Sequence, residues 1–333
     1  LAAISAANAG DLTVTGGVDM SWVSLDNAAT GNPIGIGSNL TFKGSGELDN
    51  GWTVDLSIAH NNDATFSAAV VDLGMGGLGT LTFNHGDGNG LGAYDDKMPT
   101  AWEEAWGAGE NPGIKLVAGV GSSTNVQYAT PTIAGTTIKI AYAPQMGAAD
   151  TYDKTSAANT DGKGKGLDAI ININPSFGTE ALSGLNIYAG GHYTHTHAKN
   201  ITYQIDLYEA VGGVTFDIGP VSLGWGRSGH VTGLETGTTT VTAYRSDMYG
   251  VSFNVNDDLS ISYGYHDSRK AGYANASAGS VSEANRKVEA ESWQIAYTMG
   301  GASIRIAEVD TANSAFSAGT NRDTTVVSVG LAF

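Results

Sequence analysis

The residues best suited to chemistry in this chain are carboxylates crowded into one stretch. Asp87, Asp95, Asp96, Glu103, Glu104 and Glu110 fall between positions 87 and 122, with Lys97 and Lys115 as the nearby bases. Fixed charge beside a water-filled path selects among passing ions and breaks no bond. A second cluster is His192, His195 and His197. His195 and His197 would share a strand face, a spacing open to a metal pair. No third ligand follows from the spacing, so solvated histidines at a rim are the plainer expectation. Asp87-Gly88-Asn89-Gly90 and the stretch from Asp150 to Asp153 fall short of a calcium-loop pattern. Acidic loops of this kind are expected to bind calcium or magnesium weakly at most. Motifs for serine-nucleophile, zinc-hydrolase or phosphate-loop chemistry are absent from the sequence. The expectation is no catalytic residue and no cofactor.

The segments that must carry these groups alternate with period two. Leu12, Val14, Gly16, Val18, Met20 and Trp22 oppose Thr13, Thr15, Gly17, Asp19 and Ser21, and Trp52, Val54, Leu56 and Ile58 oppose Thr53, Asp55 and Ser57. Such patterning marks strands with one apolar and one polar face. Sixteen runs qualify: 11–24, 34–47, 51–60, 65–74, 78–86, 123–131, 134–144, 166–175, 183–196, 202–218, 219–230, 239–256, 258–268, 287–299, 301–311 and 322–333. After the even-numbered runs come mostly short turns such as Asp49-Asn50-Gly51, Gly219-Pro220 and Gly300-Gly301. After the odd-numbered runs the connections are generally longer, and 87–122 is the longest.

Composition narrows the architecture. The chain has 333 residues, 47 of them glycine, 15% charged residues, no cysteine and a net charge of −17. Low charge with abundant aromatic and β-branched residues excludes disorder, and the acidic balance argues against a nucleic-acid partner. A soluble sandwich would show shorter strands and more surface charge. An even number of long strands with one short-turn rim and one long-loop rim fits a transmembrane β-barrel. Sixteen strands leave an aqueous lumen rather than a packed core. Parity then turns Lys43, Lys139 and Arg305 inward, because Phe42, Ile138, Ile140, Ile304 and Ile306 take the lipid side. Trp22, Tyr128, Trp225, Trp293 and Tyr297 fall on outward faces, as interfacial girdles require.

Several stretches resemble the Gram-negative trimeric porins, particularly those of marine alphaproteobacteria. They are Ser38 to Gly44 leading to Leu48-Asp49-Asn50-Gly51, Asn125 to Pro131 with Ala134-Gly135, and the terminal Val329-Gly330-Leu331-Ala332-Phe333. The resemblance implies a bacterial outer-membrane location, a homotrimer, contact with lipid and lipopolysaccharide, and passage of small hydrophilic solutes. It also implies that Phe333 acts as the signal for outer-membrane assembly and that the third long loop folds into the lumen.

On that implication residues 87–122 form a constriction. Its acidic side is Asp87, Asp95, Asp96, Glu103, Glu104 and Glu110, and its basic side is Lys43, Lys97, Lys115, Lys139 and Arg305. Thr100 is placed to cap a short helix, with Glu103 completing a capping box. Trp102 and Trp106, four apart, would then share a helix face, anchor the loop on the wall and leave Glu103 or Glu104 toward the channel. Residues 1–9, ending in Ala7-Asn8-Ala9, read as an export remnant or N-terminal extension, and 10–333 as a single barrel. The net acidity points to a cation preference. Substrate-specific sugar or amino-acid channels and a surface adhesion barrel remain the alternatives.

Overall fold

The computed structural model describes residues 9–26, 31–62, 64–109, 111–121, 123–147, 163–175, 179–196, 206–232, 240–274 and 283–333. Glu110, His197 and the stretch from Asp150 to Asp153 lie outside the described residues, as do positions 1–8.

Sixteen strands form one closed sheet. They are β1 Ala9–Asp26, β2 Ile34–Glu47, β3 Thr53–Asn61, β4 Ala64–Gly74, β5 Thr80–His85, β6 Asn125–Ala129, β7 Thr136–Ala143 and β8 Lys163–Ile173. The second half is β9 Leu185–Thr196, β10 Leu207–Ile218, β11 Val221–Val231, β12 Thr240–Asn254, β13 Leu259–Ala274, β14 Glu283–Met299, β15 Ala302–Ala312 and β16 Arg322–Ala332. Each strand pairs antiparallel with its sequence neighbours, and β1 closes on β16 with Met20 opposite Val329. Closure satisfies every ladder and leaves no open edge in lipid. The terminal Phe333 exchanges backbone hydrogen bonds with Gly16 at 3.0 and 3.3 Å, so the chain end seals the seam.

Alternation sets the two faces. Phe42, Ile58, Ile140, Trp225, Tyr249, Trp293 and Ile306 are all exposed outward, where lipid replaces water. The short turns use side chains that mimic the backbone: Asn256 Oδ1 accepts from the amides of Asp258 and Leu259, both at 2.9 Å. At the other rim β13 and β14 rise beyond the spans expected from sequence, to Ala274 and from Glu283. Arg269, Lys270 and Lys287 mask the apolar alternation there, yet the ladder continues with Arg269 opposite Lys287.

The buried side chains lie between the wall and the 87–122 insert. Leu91, Tyr94, Met98 and Val117 pack on Ile170, Tyr188, Val211 and Met248. Ala105 and Ile114 pack on Val288 and Ala290, and Ala108 packs on Ala307 and Val309. The third long loop is therefore folded into the lumen, along the β7–β15 side. It contains a short 310 turn at Gly90–Tyr94 but no α-helix at 100–106, contrary to the sequence expectation. No described helix is long and apolar enough to cross a membrane.

Candidate functional site

Two wall carboxylates clamp the insert by its backbone. Asp168 on β8, fully buried, accepts from the amides of Leu91 at 2.6 Å and Val120 at 3.0 Å. Glu209 on β10 accepts from Ala118 at 2.9 Å and Gly119 at 2.7 Å. Behind them His192 Nδ1 stands 2.5 Å from Asp168 and His230 Nδ1 stands 2.5 Å from Glu209. Close approach requires glycine. Gly90 and Gly119 have φ of +61° and +57°, and a Cβ on either would come within 2.2 and 2.5 Å of Asp168 Oδ2. These groups were not singled out from sequence, although parity places both carboxylates inward. His192 is also a correction: it is 4% exposed and held by Asp168 and Thr194 Oγ1, not a solvated rim residue. His195, on the outward face, pairs with Asp206 at 3.1 Å.

Farther along the insert the wall takes over the donors a helix would have used. Ser262 Oγ accepts from the Ala101 amide at 2.8 Å and Gln294 Oε1 from the Glu103 amide at 3.0 Å. Gln294 Nε2 donates back to the Glu103 carbonyl at 2.6 Å. Thr100 Oγ1 accepts from Trp102 at 2.9 Å, not from Glu103, so the capping box does not form. The two tryptophans consequently diverge. Trp102 packs toward Ala108, Ala307 and Val309, and Trp106 toward Ala105, Ile114, Val288 and Ala290.

Glu104 does not face the water path. It is 7% exposed and accepts from the Met98 amide at 3.0 Å and Trp106 Nε1 at 3.1 Å, with His266 Nε2 3.3 Å away. Burial pushes its carboxyl up to about 8, leaving it uncharged at neutral pH. Glu103 and Asp96 are exposed, and Asp95 is half-buried. Burial, reinforced by the charge of Asp96, pushes Asp95 up to about 7. Burial is also the main cause that raises Glu103.

The expected bases do not form one wall. Lys97 and Lys139 place their ammonium groups 5.6 and 5.3 Å from the same Tyr94 ring on the insert. Lys115 lies 5.8 Å from the Tyr244 ring. Arg305 stacks 5.1 Å from Trp102 and is ion-paired with Asp19. Lys43 sits on the side of the lumen that the insert leaves open. There it lines a recess of about 470 Å3 with Asp55, Asp72 and Asp87, and Thr13, Ser45 and Ser57 complete the polar lining. Among the described residues no three His, Asp or Glu side chains converge as a metal-binding group.

The profile of a family described as Gram-negative porin matches residues 1–333. No curated protein sequence matches the chain. Among solved structures, the anion-selective porin from Comamonas acidovorans is similar at 15% identity and a TM-score of 0.65, over 97% of this chain and 99% of that one. Salmonella typhi OmpF in complex with daunomycin is similar at 13% identity and a TM-score of 0.65, over 97% of each chain. The trimer form of OmpT, an outer membrane protein of Vibrio cholerae, is similar at 10% identity and a TM-score of 0.65, over 97% and 99%. At these identities the likeness to each structure is one of fold.

Proposed function

The chain belongs to the Gram-negative porin family, an outer-membrane channel, and we propose that its pore passes small hydrophilic solutes with a preference for cations. The fold itself sets no sign of charge, since an anion-selective porin shares it. The observation that carries the reading is the open side of the lumen, where Lys43 meets three carboxylates, Asp55, Asp72 and Asp87. Exposed Glu103 on the insert adds to that excess. Arg305, the base nearest Glu103, is itself ion-paired with Asp19.

Reversal potential in a salt gradient tests this. A cation-signed potential is expected, and an anion-signed one overturns the reading. The potential is further expected to depend on pH. Burial raises both Asp95 and Glu103, and Asp95, pushed up to about 7, carries its full negative charge above about pH 9 and loses it as pH falls through neutrality. Cation preference therefore weakens from about pH 9 to about pH 5, and a flat profile counts against these two groups facing the permeant ions.

A homotrimer is part of the proposal. Strands β5 and β6 have six and five residues. At ~3.3 Å rise and ~45° tilt they reach only about 12 to 14 Å, about half of the ~25 Å apolar band. Irregular backbone above so low a wall is not tolerated in lipid and needs a protein cover. A cyclic arrangement of further copies supplies one. Val71, Phe83 and Val126 form one cross-strand row on this wall, with Phe83 exposed outward. Val71→Arg with Phe83→Arg is expected to shift the detergent-solubilised particle from three chains to one in mass measurements. A particle mass that stays at three chains places the contact elsewhere.

A further inference from the structure

The wall that receives the insert is hollowed along one line. Gly224 on β11, Gly250 on β12 and Gly264 on β13 stand directly opposite one another in the sheet, and Ser292 on β14 continues the row. The row faces inward, because the neighbouring Trp225 and Tyr249 are exposed outward. None of the three glycines has a positive φ, so no turn or bulge calls for glycine here. Glycine weakens a strand interior and often marks the close approach of another backbone. We propose that this glycine row sets the width of the pore: it seats residues 98–105 deep in the wall, and side-chain size at its positions determines the largest solute that passes. The proposal rests on the pore reading above and goes beyond it by naming the residues that fix the size limit.

The insert fills the hollow that the missing side chains leave. A Cβ at Gly224 would stand 2.4 Å from Pro99 Cδ and 3.1 Å from Met98 Sδ. One at Gly250 would stand 2.7 Å from the Pro99 carbonyl oxygen and 2.9 Å from Met98 Cβ. At Gly264 the nearest atom, Ala105 Cβ, would be 3.4 Å away. The row is therefore tightest under Pro99 and loosens toward Ala105. Ser262, two residues from Gly264, accepts the Ala101 amide at 2.8 Å and ties the segment to the wall within the same stretch. Carbon atoms in good contact lie about 3.5 to 4.0 Å apart, so a methyl at Gly224 displaces the Pro99 ring by about 1 Å. Strands β11, β12 and β13 are each hydrogen-bonded to a strand on either side, so the wall cannot retreat. The segment gives way instead, toward the water. Met98 and Ala105 are buried against the wall, whereas Glu103 between them is exposed, so the shift carries Glu103 farther into the path of solutes. Pore diameter and the groups that line it decide what passes.

Single-channel conductance and exclusion of a graded series of polyethylene glycols test the row. Gly224→Ala and Gly250→Ala are each expected to lower conductance about twofold and to exclude polymers that the wild type admits. Pro99→Ala removes the ring that a methyl at Gly224 would strike, so Gly224→Ala with Pro99→Ala is expected to regain wild-type conductance. Pro99→Ala is not expected to rescue Gly250→Ala, whose methyl meets the Pro99 backbone oxygen. Gly212→Ala on β10 is the control. Val211 packs on the insert, so Gly212 faces lipid, and its Cβ would come no nearer than 3.4 Å to another atom, the Tyr188 carbonyl oxygen. Both readouts are expected to stay unchanged in it. Wild-type conductance and size limit in Gly224→Ala and Gly250→Ala overturn the proposal, as does a larger conductance. Equal rescue of the two by Pro99→Ala overturns it as well. Should an alanine variant fail to assemble, recovery by Pro99→Ala at Gly224 alone supports the seat, and no recovery overturns it. Absence of conductance from the wild type overturns the pore reading, whereas a wild-type pore indifferent to these alanines overturns the glycine row alone.

Discussion

Asp87→Lys combined with Glu103→Lys is expected to turn the channel from cation-preferring to anion-preferring, the largest change in selectivity that two substitutions should produce here. Both side chains are exposed, Asp87 beside the recess that holds Lys43 and Glu103 on the insert. Asp96 is a weaker choice, because Lys97 lies 3.9 Å from it and offsets its charge. Reversing a charge about 6 Å from an ion's path in bulk-like water changes the interaction by about 1.4 kcal/mol, or about tenfold in occupancy. Salt screening reduces that figure for exposed groups, so low ionic strength gives the clearest reading. The two reversals together are expected to lower the ratio of cation to anion permeability by at least tenfold and to invert the sign of the reversal potential. An unchanged sign means that ions do not pass these side chains. Glu104→Gln serves as the contrast. Its carboxyl is buried and uncharged at neutral pH, so the same measurement should show little change.

The second large effect concerns the insert itself. Asp168→Ala with Glu209→Ala is expected to release residues 90–120 from the wall while leaving the barrel closed. The two carboxylates accept four backbone amides, from Leu91, Val120, Ala118 and Gly119. Their removal also strips His192 and His230 of their partners. Each buried donor left unsatisfied costs about 1 to 3 kcal/mol. Four of them together cost about 4 to 12 kcal/mol, comparable to the whole contribution from burying Leu91, Val117 and Val120 at about 1.5 to 3 kcal/mol each. Single-channel records should show a larger and noisier conductance, and larger neutral solutes should pass. Far-UV circular dichroism should stay unchanged, because the strand ladder uses none of these side-chain oxygens. Wild-type conductance and solute cut-off in the double variant would mean that the apolar contacts alone fix the loop.

Much of this architecture is legible along the chain. Alternation of side chains located all sixteen strands, because lipid on one side and water on the other impose period two on every spanning segment. Boundaries slipped where that solvent contrast fades. Above the apolar band on β13 and β14 both faces are polar, so Lys270 and Arg286 read as loop although they pair. The helix expected at 100–106 failed for a different reason. Local capping signals assume that a segment must satisfy its own amides, and here Ser262 and Gln294 of the wall do so.

The sequence by itself determined the closed sheet, its two unlike rims, the inward parity of Lys43, Lys139 and Arg305, and an acidic insert between β5 and β6. Each follows from neighbours within a few residues, through strand periodicity and turn chemistry. Only the tertiary structure decided which charges meet water. Asp168 and Leu91 are 77 positions apart, and Arg305 and Asp19 are 286 apart. Folding the insert against one side of the lumen buries Glu104, sets Lys139 against Tyr94 and leaves Lys43 among three carboxylates. Electrostatic strength depends on distance and on exclusion of water, and neither is a property of spacing along the chain.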